Sequence, residues 1–358
     1  MINILLVISI ILLIINLLPF INNQHWIFRA SDFVRPQLLF FELLLFISIL
    51  IFFDTQDGIY WLLWLLGLCI IYNAYIFIRF TKFWRNNHHN KSTEHSATIK
   101  VISTNVYQFN KDRHLFVEMI RREKPDIFLT MESNQDWEDA FQELKEDYPN
   151  YEEVALENTY GIHFYTKLKI NRIKVHYFVA DDLPSIEAEL ETADGYRFVF
   201  FGVHPPPPSP TEESTSKERD GDLLSVAKVV SNYKVPVVIT GDFNTVAWSR
   251  ESILFKKASG LIDGRYGRGY LATFHTKYWF FRIPLDLLYH STDIFLKDLK
   301  ILPSIGSDHF PVYFSFYVDK HNDVQERDVQ ELNVEEQEEV EEIIEEVNEE
   351  VSDNRTEE

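Results

Sequence analysis

The stretch VVITGDFNT, Val237 to Thr245, decides the reading of this chain. Its first half is a short run of Val, Ile and Thr, the composition and length of a buried strand. Its second half, Gly241 to Asn244, breaks that strand with a turn carrying a carboxylate and an amide. The same arrangement recurs: Asn105 ends Ile99–Thr104, Glu132 follows Ile127–Met131, His204 follows Phe198–Val203, and Asp308 and His309 precede Val312–Val318. Taken singly, each is an ordinary turn or cap residue. Repeated at strand ends, they mark places where a rigid sheet holds side chains at an open edge.

Outward from this stretch, β-rich runs are predicted at Ile99–Ser103, Ile127–Met131, Gly161–Tyr165, Arg197–Val203, Val235–Thr240, Leu285–Tyr289 and Val312–Val318. Apolar residues recur every three or four positions at His114–Glu123, Trp137–Tyr148, Gly221–Asn232 and Ser249–Ala258, which predicts helices. The two kinds of element intersperse, so residues 98–318 read as a layered α/β domain.

The flanks belong to other solvents. Ile2–Ile21, Pro36–Phe53 and Ile59–Phe80 are apolar and long enough to suggest three membrane crossings, so residues 1–81 are expected to form a membrane anchor. Arg29, Arg35, Arg79, Lys82 and Arg85 fall on one side of such a bundle, which places that side and the α/β domain in the cytoplasm by the positive-inside rule. Glu42 reads as interfacial. Residues 82–97 read as a linker in which His88 and His89 are solvated. The tail, residues 319–358, sets Val340, Ile343, Ile344, Val347 and Val351 at helix-like spacing, which leaves a charged helix or short coiled coil open, but disorder is favoured because 18 acidic residues against 3 basic ones follow Val318.

That tail carries most of the formal net charge of −21. The α/β domain is then only mildly acidic, which argues against a strong sequence-independent grip on DNA through clustered Lys and Arg. Cys69 is the single cysteine, so no intrachain disulfide and no Cys-based zinc site can form.

The segments Ser103–Asn105, Pro125–Ile127 leading to Glu132, Gly202–His204, Gly241–Asn244, Ile283–Asp286 and Gly306–Pro311 together resemble the endonuclease/exonuclease/phosphatase (deoxyribonuclease I-like) superfamily, in kind and in order. The prolines after His204, together with Arg219 and Arg282–Pro284, resemble a bacterial branch with amino-terminal membrane helices. The resemblance implies a four-layered α/β sandwich, two packed β-sheets flanked by helices. It also implies a Mg²⁺-dependent phosphoesterase, with Mn²⁺ as the alternative ion. Under it, Glu132 is the principal metal ligand, assisted by Asn105 and Asp308. Asp242 activates the attacking water, Asn244 positions water and phosphate, His309 oriented by Asp286 donates to a phosphoryl oxygen, and His204 contacts the phosphate or the leaving group.

Two positions depart from the superfamily pattern: Met131 stands where Gln often precedes the metal-binding Glu, and Leu287 where His often follows the late Asp. Neither removes a proposed catalytic atom. Arg219 is open between a phosphate contact and a solvated helix-start residue. The implied partners are a phosphoester substrate (nucleic acid, phospholipid headgroup or small phosphoester) and the lipid bilayer; nothing in the sequence sets an oligomeric state. The competing expectation is a noncatalytic membrane scaffold that uses the same fold as a binding module, which predicts loss of motif residues; none of the set is lost.

Overall fold

Runs of Ile, Val and Phe with no polar face are stable only between two covering layers, and the computed structural model places them there. It describes residues 2–21, 23–52, 60–84, 95–208 and 215–356. Arg85, His88 and His89, much of the expected linker, and the span ends Phe53 and Ile59 lie outside the described residues.

One sheet contains β1 (Ile99–Asn105), β2 (Ile127–Met131), β3 (Asn150–Val154), β4 (Ile162–Thr166), β11 (Ile294–Ile301) and β12 (Val312–Val318), in the order β11-β12-β1-β2-β4-β3. The other contains β5 (Lys169–Tyr177), β6 (Pro184–Glu191), β7 (Arg197–Val203), β8 (Val237–Asp242), β9 (Ile262–Asp263) and β10 (Asp286–His290), in the order β5-β6-β7-β8-β10-β9. The inner faces meet through Val101, Leu129, Phe164, Phe200, Val238 and Phe314. The first sheet's outer face is covered by α5 (Arg113–Glu123) and α6 (Gln135–Phe141), through Phe116, Trp137 and Phe141. The second is covered by α7 (Lys217–Val230) and α8 (Arg250–Ser259), through Leu223, Val226 and Phe255. Helix, sheet, sheet, helix: the four-layered sandwich stands.

Every strand expected from sequence is present; β3, β5, β6, β9 and β11 were not expected. The omission has a physical cause. β5 and β11 are edge strands carrying Lys and Arg at outward positions, as exposed edges do. β6 alternates strictly, Ile186, Ala188 and Leu190 inward, which gives fewer apolar residues than a run buried on both faces.

At the amino terminus lie α1 (Ile2–Leu17), α2 (Trp26–Phe33), α3 (Arg35–Phe52) and α4 (Tyr60–Ile78). Here the expectation of three crossings is corrected. Among the described residues two helices, α3 and α4, are long and apolar enough to cross a membrane. α1 has 16 residues, about 24 Å at helical rise, because Pro19 opens a 3-10 turn. It packs beside the other two through Leu12, Leu38, Leu45, Ile49 and Leu66. Glu42, expected at the interface, is fully buried within the helix bundle, accepting hydrogen bonds from Asn16 and from Asn73 (3.0 Å), while Arg35 donates to Asn73 (3.1 Å). A carboxylate between apolar helices requires such partners.

The expected disordered tail is also corrected, since α9 (Val334–Thr356) is an ordered helix docked on the domain. Val340 and Ile344 pack with Leu224 and Leu254, and Val347 packs with Val179 and Leu183. Lys257 pairs with Glu336 at 2.6 Å, Arg250 with Glu336 at 3.0 Å, and Lys217 with Glu346 at 3.5 Å. Like-charge repulsion judged within the tail alone omits these cations, which lie far away in sequence.

Candidate active site

Strand register brings the motif residues to one end of the sandwich. β1 and β2 run parallel with Asn105 beside Met131, so Asn105 and Glu132 leave the first sheet together. β7 and β8 run parallel with Val203 beside Gly241, so His204 and Asp242 leave the second sheet together. β10 is antiparallel to β8 with Asp286 facing Asp242, and β12 is antiparallel to β1, which returns Asp308 and His309 to the same rim. A side chain at Gly241 would meet the Val203 carbonyl oxygen at 1.9 Å, so glycine is required before Asp242.

Asn105, Glu132, His204, Asp242, Asn244, Asp308 and His309 line one cavity of about 300 Å³. Asp286 stands behind it, its Oδ2 2.9 Å from His309 Nδ1. A larger cavity, about 520 Å³ beside Arg268 and Lys297, contains none of these residues.

His309 is the electrostatic centre. Its Nε2 lies 3.5 Å from Asp242 Oδ2, so the ring sits between two carboxylates on adjacent strands. Burial alone would push the imidazole down, but Asp242 and Asp286 outweigh it and hold it up to about 10. His204 behaves oppositely: burial pushes it down to about 4, with Asp242 only partly opposing, so the ring is neutral. Its Nε2 lies 3.9 Å from Asp242 Oδ2. Two histidines at one carboxylate thus hold different protonation states, the separation that acid–base chemistry uses.

Asn105 bridges the two sheets, its Nδ2 donating to Glu132 (2.7 Å) and Asp242 (3.2 Å) while its Oδ1 accepts from the Tyr107 N–H (2.9 Å). Glu132 also accepts from the Gln108 N–H (3.1 Å). Burial pushes its carboxyl up to about 7, Asn105 and Gln108 hold it down, and the charge of Asp308 adds to the rise. Glu132 and Asn244 both have left-handed backbones, φ 58° and 49°. For Glu this costs on the order of 1–3 kcal/mol, strain that concentrates at functional positions. The Asp242 side chain accepts from the Asn244 N–H (3.0 Å), and Asn244 Nδ2 donates to the Pro205 carbonyl (2.9 Å), tying the loop to the proline turn. Ser307 Oγ donates to the Asn105 carbonyl (2.8 Å) and accepts from the His309 N–H (3.0 Å).

The donor set fits a hard divalent cation. Glu132 and Asp308 face the cavity, and among the described residues its lining holds no Lys or Arg, so His309 is the cationic side chain beside them. Among the described residues no group of three or more His, Cys, Asp or Glu side chains is placed to hold a metal ion, so fewer than three carboxylates are placed to share one here. One or two carboxylates with open positions suit Mg²⁺, which retains water ligands.

One residue at the site gave no sequence signal, and another has a different place from either reading. Phe33, at the end of α2, lines the cavity. Arg219 is neither a phosphate contact nor solvated: it is buried, 2.7 Å from Asp220, and its Nη1 donates to the Asn244 carbonyl (3.2 Å). Behind it Glu251 lies 3.8 Å from Arg219 and 3.1 Å from Arg29 of α2. A chain of charge therefore runs from the amino-terminal helices to the backbone of Asn244. His163 is buried against Phe141 and lies away from the cavity.

Two packed sheets whose rims at one end converge on a carboxylate–histidine cluster define a recognisable class, the layered α/β sandwich with its site between the sheets. Residues 102–309 match the Endonuclease/Exonuclease/phosphatase family, and the chain belongs to it. Solved structures agree on the fold. TDP2 from D. rerio, complexed with single strand DNA product, is 16% identical with a TM-score of 0.52, covering 62% of this chain and 99% of that one. An endonuclease/exonuclease/phosphatase family protein from Bacteroides thetaiotaomicron is 19% identical with a TM-score of 0.51, covering 64% and 100%. The human Nocturnin catalytic domain with bound sulfate is 17% identical with a TM-score of 0.51, covering 62% and 95%. No curated protein matches.

Proposed function

We propose that this chain is a membrane-anchored phosphoesterase, dependent on Mg²⁺ or Mn²⁺, that hydrolyses a phosphodiester or phosphomonoester with water activated at Asp242. The observation that carries the reading is His309 held between Asp286 and Asp242 at the rim where Glu132 and Asn105 also arrive. Residues so distant in sequence have no packing reason to share one polar cavity.

Glu132 would be the principal ligand of the cation, assisted by Asn105 and Asp308, with Asn105 also aligning Glu132. When bound, the cation supplies charge neutralisation on the nonbridging phosphoryl oxygens. Asp242 orients the attacking water and takes its proton. Asn244 positions the water and the phosphate. His309, kept protonated by its carboxylate neighbours, donates to a phosphoryl oxygen, and Asp286 fixes which ring nitrogen faces the cavity. His204, neutral, contacts the phosphate or the leaving group. The α3 and α4 helices would anchor the chain in a bilayer, and Arg29, Arg35, Arg79 and Lys82 at the domain's end of the bundle favour a cytoplasmic catalytic domain.

The test is turnover by the purified full chain of bis(p-nitrophenyl) phosphate, plasmid DNA, inositol phosphates and phospholipids, with Mg²⁺ or with EDTA. Hydrolysis of one or more of these esters, abolished by EDTA and restored by Mg²⁺, is expected. Failure to turn over any ester sinks the reading.

A further inference from the structure

The cavity is polar on one side and apolar on the other. Phe33, Phe274, Ile283 and Leu285 form its apolar wall, and the same four residues belong to a hydrophobic cluster that includes Ile76 and Phe77 at the end of α4. The wall is thus continuous with a helix long and apolar enough to cross a membrane.

A loop extends from this wall. Phe274 and Ile283 pair across its base, and Phe274 pairs also with His309, their rings 4.9 Å apart. At the tip, Tyr278, Trp279 and Phe281 are 60%, 78% and 56% exposed. Between them Phe280 packs against Phe40 and Phe41 of α3, ring centroids 6.2 and 6.1 Å apart, and its carbonyl accepts from Gln37 (2.6 Å). Phe40 and Phe41 lie about 8–9 Å along α3 from Arg35 at helical rise, the depth at which amphipathic elements enter the headgroup and upper acyl region. An aromatic tip at that depth has a bilayer as its natural cover, since Trp and Tyr collect at membrane interfaces.

Resting on the phosphoesterase reading above, we infer that the site takes its phosphoester from the bilayer. The substrate is a phosphate ester carried by a lipid, its phosphate against the polar side of the cavity and its chains left in the membrane beside Trp279 and Phe281. Hydrolysis forms the bond from water oxygen to phosphorus and breaks the phosphorus–oxygen bond to the alcohol, which takes up the proton. A nucleic acid fits less well, because among the described residues the cavity lining includes no Lys or Arg to follow a polyanion beyond one phosphate.

The experiment places the full chain in nanodiscs of equal parts phosphatidylethanolamine, phosphatidylglycerol and phosphatidic acid, with Mg²⁺. Phosphorus NMR follows the disc lipids, while bis(p-nitrophenyl) phosphate and plasmid DNA are assayed in parallel. Wild type is expected to hydrolyse disc lipid. The double substitution Trp279→Ser with Phe281→Ser is expected to slow that hydrolysis by at least about tenfold, since two interfacial aromatics are lost, while leaving the soluble ester rate unchanged. Trp279→Phe is expected to retain the lipid rate. Equal lipid rates in wild type and double variant overturn the inference, and equal loss on both esters does so by assigning the loop a merely structural role. Turnover of soluble ester or DNA with disc lipid intact overturns the inference and leaves the phosphoesterase reading standing. No turnover of anything overturns both.

Discussion

Arg29→Met tests the charge chain that ties α2 to the Asn244 loop. Arg29 Nε lies 3.1 Å from Glu251 Oε1, with the two side chains 7% and 3% exposed. Burial would push the Glu251 carboxyl up, but the charges of Arg219 and Arg29 more than offset it and hold it below the usual carboxylate range. Truncating one partner of a buried pair costs about 3–5 kcal/mol. Glu251 keeps Arg219 at 3.8 Å, so the low end, about 3 kcal/mol, applies. For a domain of this size that lowers Tm by roughly 6–12 °C, read by intrinsic fluorescence of the full chain in detergent micelles at pH 7. A depressed carboxylate stabilises above its unfolded pKa, so the deficit is fully expressed above about pH 4.5 and fades as pH falls through the native value. Arg29→Met combined with Glu251→Met is expected to lose less than the sum of the single losses, with coupling near 2 kcal/mol. Additivity within about 0.5 kcal/mol would refute the reasoning, showing that the pair is screened.

Asp242→Asn and His309→Ala are each expected to lower kcat by at least about a hundredfold with Tm little changed; near-wild-type rates in both would remove them from the chemistry. Because burial and Asp308 lift Glu132 to about 7, a proton competes with the cation there. Mg²⁺ affinity by calorimetry is expected to hold above pH 7 and to fall about tenfold per pH unit below it, and Glu132→Gln should abolish that dependence; a flat profile in wild type contradicts the assignment. A Cβ at Gly221 would stand 2.5 Å from Val347 Cγ2, so Gly221→Ala is expected to loosen α9 at a cost of about 1–3 kcal/mol. Faster amide hydrogen exchange across α9 is the readout, and unchanged protection would show that the contact is slack.

Much of the α/β domain was legible in sequence because strand cores and strand-end turns are local features. VVITGDFNT encodes a buried strand and the turn that follows it within nine consecutive residues. The edge strands were missed because half their residues face water. The tail's helix-like spacing was legible, but disorder outranked it because the helix is held by Arg250, Lys257 and Leu254, which no local reading can attach to it. Arg219 is the sharper case: Arg at a helix start ordinarily snorkels to solvent, and only the docking of α2 and α8 over it makes burial tolerable.

By itself the sequence determined which side chains end strands, their order along the chain, and the apolar character of its first 80 residues, since residue type and period two or 3.6 carry that information. Tertiary structure alone decided that Asn105 and Asp242, 137 positions apart, share a hydrogen bond, that His309 lies between two carboxylates, and that Phe33 walls the cavity. Charge state, too, belongs to the assembled state: one histidine is neutral and the other protonated because burial and neighbouring carboxylates act over a few ångströms of space, whatever the separation along the chain.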